Sequence, residues 1–180
     1  MNLPDVLPNG SASVGIRRLE LPDAGVYRAL RLRGLREHPD AFTSSFEEEE
    51  RRPLADTEKR LSSPTEDVWG AFTSGQLAGM AGLSRETRDK NRHKATLVGM
   101  YVVPEAKGFG LGRALVDTVI RKARADGVQH LVLTVTDGNA PAIALYKQSG
   151  FAMFGIEPDA IRIGTTSYAK QHMTLEIAPP

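Results

Sequence analysis

Three glycines alternate in the stretch Lys107-Gly108-Phe109-Gly110-Leu111-Gly112-Arg113. Leu111, Leu115, Val119 and Ala123 then recur at helical spacing. Upstream, the apolar run Thr96 to Val103 reads as a strand that ends at Pro104. A strand passing through glycines into a helix is suited to phosphate chemistry. The helix start presents free N–H groups and partial positive charge, and glycine lets an anion approach the main chain. The stretch therefore suits a pyrophosphate. Two common phosphate signatures do not fit it. The Walker A pattern needs Gly-Lys-Ser/Thr, which is absent. The dinucleotide pattern Gly-x-Gly-x-x-Gly fails in both registers, its last position falling on Arg113 or Leu115. By itself the loop is equally a tight connection feeding a helix.

What remains, Lys107-x-x-Gly110-x-Gly112, resembles motif A of the GCN5-related N-acetyltransferases, which bind the pyrophosphate of acetyl-coenzyme A. That family usually begins the motif with Gln or Arg; Lys107 departs from it. A second stretch, Asn139 to Phe151 (NAPAIALYKQSGF), resembles motif B of the same family through Asn139, Ala142, Leu145, Tyr146, Gly150 and Phe151. The two motifs stand in the family's order, with one helix and one strand between them. The resemblance covers roughly residues 96–155, and the first ninety residues match only in layout.

The resemblance implies an acetyl-CoA-dependent N-acetyltransferase in which an amine attacks the acetyl carbonyl directly in a ternary complex. It places the coenzyme against Tyr101, Val102, Val103, the run Lys107, Gly108, Phe109, Gly110, Leu111, Gly112 and Arg113, and then Asn139, Ala142 and Tyr146. The catalytic expectation falls on Tyr146, which in the family points at the thioester sulfur. A phenol with a reference pKa near ~10 stays protonated at neutral pH and can donate to a leaving thiolate. Each residue also has a structural reading. Asn139 caps a helix, Ala142 and Leu145 pack, Gly150 closes the helix, and Tyr146 fills a core. The family's fold splays the strand Thr96 to Val103 from the next parallel strand, Leu131 to Thr136, so that main-chain groups meet the pantetheine arm. An ordinary central strand would look the same in sequence.

The acceptor side carries weaker signals. Phe46 and Glu47 border the acceptor pocket in this architecture, and the acidic run Glu47 to Glu50 suits a cationic amine or a merely solvated face. Tyr168 either lines that pocket or packs. The general base has no sequence signature. His38, His93, His130 and His172 have no metal-ligand spacing, so no metal is expected. Two rival readings are a non-catalytic acyl-CoA-binding sensor and a different nucleotide-binding α/β protein.

The elements needed to position these groups form a mixed α/β (α+β) pattern, in the family a central mixed sheet flanked by helices. Residues 1–13 read as a flexible tail and 14–180 as a single N-acetyltransferase domain. Val14 to Leu21 reads as a strand, followed by a helix with Val26, Leu30 and Leu35 on one face and a stop at His38-Pro39. A helical region from Ala41 to Leu61 is interrupted at Pro53. Strands are expected at Asp67–Thr73, Gln76–Glu86, Phe151–Ile156 and Tyr168–Ile177. The 180 residues suit one domain, and the apolar share of 41% supports a core. The 23 basic and 22 acidic residues leave a net charge of +1, no footprint for nucleic acid or an anionic membrane. There is no cysteine, which excludes disulfides, thiolate metal sites and an acetyl-Cys intermediate. Without a signal-like start or a spanning apolar run, a cytoplasmic location is expected. The partner is a small-molecule, peptide or protein amine, and the family analogy adds a homodimer.

Overall fold

In the computed structural model, residues 14–177 are described; the expected tail, 1–13, lies outside them. The strands are β1 (Val14–Arg18), β2 (Glu66–Thr73), β3 (Gln76–Arg85), β4 (Lys94–Val102), β5 (His130–Thr136), β6 (Ala152–Ile163) and β7 (Thr166–Glu176). The helices are α1 (Ala24–Glu37), α2 (Phe46–Arg51), α3 (Leu54–Leu61), α4 (Leu111–Ala125) and α5 (Ala140–Gln148). One seven-stranded sheet runs β1-β2-β3-β4-β5-β7-β6. Its neighbours are antiparallel except β4 and β5, which are parallel and joined through α4. This is the expected mixed sheet flanked by helices.

The apolar period of α4 faces the sheet. Leu111, Leu115, Val116, Val119 and Ala123 are all buried, the broad apolar stripe of a helix packed on a sheet. In α1 the buried set is Ala24, Tyr27, Leu30, Gly34 and Leu35, whereas Val26 is exposed. The buried stripe therefore runs through Tyr27 rather than its apolar neighbour. Trp69 packs in the core on β2. The last two strands are longer than expected. β6 continues through Pro158 to Ile163, and β7 begins at Thr166. Register shifts at Met153/Gly155 and Glu157/Ile161 accommodate the irregular residues and keep the pair in contact.

β4 and β5 pair only at Lys94↔His130, Ala95↔Leu131 and Thr96↔Val132. Beyond Thr96 the two strands part, and β4 from Leu97 to Val102 has no ladder partner on that side. A bulge accompanies the parting. Gly99 and Met100 together oppose Ala81, because Val98 pairs with Gly82 and Tyr101 with Met80. Gly99 sits at φ 64°, the left-handed conformation a glycine-first bulge requires. Next to the bulge, Met100 reaches the α4 face and Tyr101 the α1 face, where a Cβ at Gly34 would lie 3.0 Å from the Tyr101 ring. Two separate surfaces thus meet the same irregular strand.

Candidate active site

On the α4 face, the glycine loop leaves its main-chain donors open. Gly108 and Gly110 have φ of 88° and 71°, and Gly110 is the residue that caps α4. A Cβ at either position would enter open space. The main-chain N–H groups from Gly108 through Arg113 find no acceptor among the described residues, and no side chain caps the helix. Free N–H groups converging on a helix start attract negative charge. Lys107 and Phe109 are exposed at the same loop.

Gly112 does a different job from the other two. A Cβ there would come within 3.3 Å of both Leu145 and Met100. Its small size lets α4, α5 and the unpaired part of β4 converge. The Arg113 N–H is among these open donors, but its side chain turns away. Its Nε donates to Asp117 at 2.9 Å and its Nη1 to the Gln148 carbonyl at 3.2 Å, tying α4 to α5. Val103 is engaged too: its N–H donates to Ala78 and its carbonyl accepts from Ala106. The free part of β4 therefore reaches only as far as Val102.

α5 delivers Tyr146 to this side. Asn139 caps the helix by accepting from the Ala142 N–H at 3.3 Å. At the other end the Phe151 N–H donates to the Tyr146 carbonyl at 3.0 Å, across Gly150 at φ 95°. This is the wide hydrogen bond that closes a helix through a left-handed residue, with an apolar contact between the same two residues. The Tyr146 and Phe151 rings meet edge-on at 5.9 Å. Tyr-x-x-x-Gly-Phe is thus a local device that fixes one tyrosine. Tyr146 is 5% exposed, and burial alone pushes its phenol pKa up. It stays a proton donor across the neutral range.

On the α1 face, a cleft of about 650 Å³ opens between the end of α1, the loop into α2, and the far end of β6. Phe46 and Glu47 line it, whereas Tyr168 does not; it stands in β7 opposite the lining residue Ile161. The acidic run divides. Glu47 faces the cleft, Glu48 closes a capping box with Ser45, and Glu49 pairs with Arg31 at 2.9 Å. Two tethers hold the loop down on the sheet: Lys170 Nζ donates to Thr43 at 3.1 Å, and Thr136 donates to the Asp40 carbonyl at 2.5 Å. Lys170 is buried, and desolvation lowers its pKa. At the bulge, the Tyr101 hydroxyl donates to Glu37 at 2.5 Å. Burial and that hydrogen bond both raise the tyrosine pKa, while the same bond and Arg33 lower that of Glu37. Sequence reasoning missed Glu37, Arg36 and the bulge. Only the bulge had a local sign, an isolated glycine inside an apolar strand.

The model of the Acetyltransferase (GNAT) family matches residues 32–151, a span holding the parted strands, the glycine loop and Tyr146. The chain belongs to the GNAT acetyltransferase family. Streptothricin acetyltransferase of Streptomyces lavendulae is 35% identical over 106 residues, which are 59% of this chain and 54% of that one. A mycothiol acetyltransferase of Acidothermus cellulolyticus is 30% identical over 160 residues, 81% of this chain and 46% of that one. The chain thus spans about half the length of these curated relatives. A GNAT acetyltransferase structure from Streptococcus pneumoniae superposes with a TM-score of 0.79 at 26% identity, covering 92% of this chain and all of the other (100%). A putative acetyltransferase from Salmonella typhimurium, solved with its cofactor acetyl-CoA, gives 0.75 at 22% identity, covering 91% and 93%. This last likeness is one of fold. No helix among the described residues is long and apolar enough to cross a membrane.

Proposed function

We propose that residues 14–180 form one N-acetyltransferase domain that moves an acetyl group from acetyl-CoA to an amine. The observation that carries this reading is the row of unsatisfied N–H groups from Gly108 to Arg113 beside the parted strands. They fit a pyrophosphate in donor type, in openness and in placement at a helix start. The free edge of β4, at Tyr101 and Val102, fits the amide-bearing pantetheine arm. Asn139 and Ala142 bring α5 alongside. Bound acetyl-CoA supplies a thioester open to attack by an amine. Tyr146 holds a proton at its hydroxyl for a departing sulfur anion, because burial keeps the phenol un-ionised. Phe151 holds the Tyr146 ring in one orientation. The acceptor enters from the α1 face, where Phe46 and Glu47 line the cleft. The streptothricin and mycothiol acetyltransferases among the relatives favour a small-molecule amine over a protein.

Thermal unfolding with acetyl-CoA, coenzyme A or NAD tests the cofactor reading. A ligand at ~100 times its Kd adds ~2.7 kcal/mol, and each kcal/mol raises Tm by ~2–4 °C in a chain of this size. Both coenzyme A forms should raise Tm, and NAD should not. An unmoved Tm at saturating acetyl-CoA would sink the proposal. A shift without acetyl transfer to any amine of a broad panel would leave an acyl-CoA sensor instead.

A further inference from the structure

α1 carries four arginines, at 28, 31, 33 and 36. Three donate to protein oxygens, although the Arg31 Nε is buried without a partner among the described residues. Arg28 donates to the carbonyls of Glu50 and Arg52. Arg31 pairs with Glu49, and Arg33 with Glu37 and Glu105. Arg36, in the last turn and on the cleft wall, is set differently. Its guanidinium carbon lies 4.4 Å from the centre of the Phe46 ring, and it pairs with no carboxylate among the described residues. Stacking fixes the plane of a guanidinium while leaving its N–H edge free, the geometry that receives an oxyanion with two hydrogen bonds.

The rest of the lining defines what else the ligand must carry. Leu35, Phe42, Ile161 and Ile163 give the cleft apolar walls. Arg162, the other lining cation, is occupied, its Nε donating to Asp159 at 2.7 Å. Glu47 adds one exposed negative charge on the α2 wall. A free guanidinium, a carboxylate and an apolar body between them match a zwitterion.

Resting on the transferase reading, we propose that the acceptor is an amine that bears its own carboxylate on an apolar skeleton. Arg36, held by Phe46, receives the carboxylate. A hydrophobic amino acid and the C-terminal end of a short peptide share this chemistry.

The test compares each acid with its neutral amide: phenylalanine and phenylalaninamide, methionine and methioninamide, and a Gly-Phe dipeptide with its amide. Binding by calorimetry and acetyl transfer are both read. At least one acid should beat its amide about tenfold, the scale of one charge-assisted interaction, and the winning acid names the source. Arg36→Gln and Arg36→Ala should erase the preference, and the coenzyme A-induced Tm shift reports that each variant is folded. Acids no better than amides in either readout, or a preference that survives Arg36→Gln, would overturn the proposal. The two readings fail separately. Arg36-dependent acid binding without transfer would remove the transferase reading and leave the anion site. Transfer without an acid preference would remove only this inference.

Discussion

On the α4 side of the sheet, the polar groups left open are main-chain N–H groups, from Gly108 to Arg113. On the α1 side they are side chains, those of Arg36, Phe46 and Glu47. The first kind of site specifies a backbone conformation, and a conformation with positive φ selects glycine. Its record in the sequence is therefore short, local and tolerant of change at the side chains between. The second kind is assembled from residues 35–47 and 161–164, brought together only by the completed sheet. Nothing fixes their spacing, and a single substitution changes what they bind. A molecule built this way can keep its main-chain site while its side-chain site is retuned.

The largest effect expected is that of Tyr146→Phe. Removing the hydroxyl leaves the ring packing on Phe151 intact, so acetyl-CoA should raise Tm as before while turnover falls by about 10²-fold, the lower range of general acid catalysis. The raised phenol pKa adds a pH signature: no loss of rate through phenol ionisation from neutral to moderately alkaline pH. Unchanged turnover in the variant would reduce Tyr146 to a packing residue, and the α4 side would then supply binding alone.

Gly110→Val probes the main-chain half of the comparison and ranks next. A β-branched residue at φ 71° costs roughly 1–2 kcal/mol of backbone strain, and its side chain enters the open space above the helix start. Acetyl-CoA affinity should fall about tenfold or more, measured by titration. Ligand binding in the α1-side cleft should not change. An affinity that survived would break the pyrophosphate reading, since neither the conformation nor the open space would then matter.

The same division explains what the sequence made legible. Gly110, Asn139 and Gly150 each act within a few residues of themselves, as caps, and both ends of α5 and the start of α4 could be read directly. The parting of β4 from β5 could be expected only by resemblance, because the pairing that ends at Thr96 depends on two distant strands. The length of β6 was hidden by Pro158 and Asp159, which read as loop residues but sit in a shifted stretch of an edge pair. Arg36 looked like any helix-surface arginine. Its distinction is that no partner reached it, which is a property of the packed molecule.

The smallest effect comes from the scaffold of the α1-side cleft. Glu49 holds α2 against α1 through Arg31, the two side chains being 16% and 12% exposed. Burial by itself would raise the Glu49 pKa, but the hydrogen bond from Arg31 and the charges of Arg31 and Arg52 outweigh it and hold the carboxyl below the usual range. A depressed folded pKa contributes stability above the unfolded value of ~4.5, and that stability is lost as pH falls through the folded pKa. Glu49→Gln should therefore cost about 1 kcal/mol at pH 7, or ~2–4 °C in Tm. The gap between variant and wild type should narrow as pH drops below about 4. The acetyl-CoA-induced shift should be the same in both proteins, because the pair supports only the wall of the α1-side cleft. A gap that did not depend on pH would mean that Glu49 acts by shape rather than charge. A weakened acetyl-CoA shift would mean that the two sides of the sheet are coupled through β4 rather than built independently.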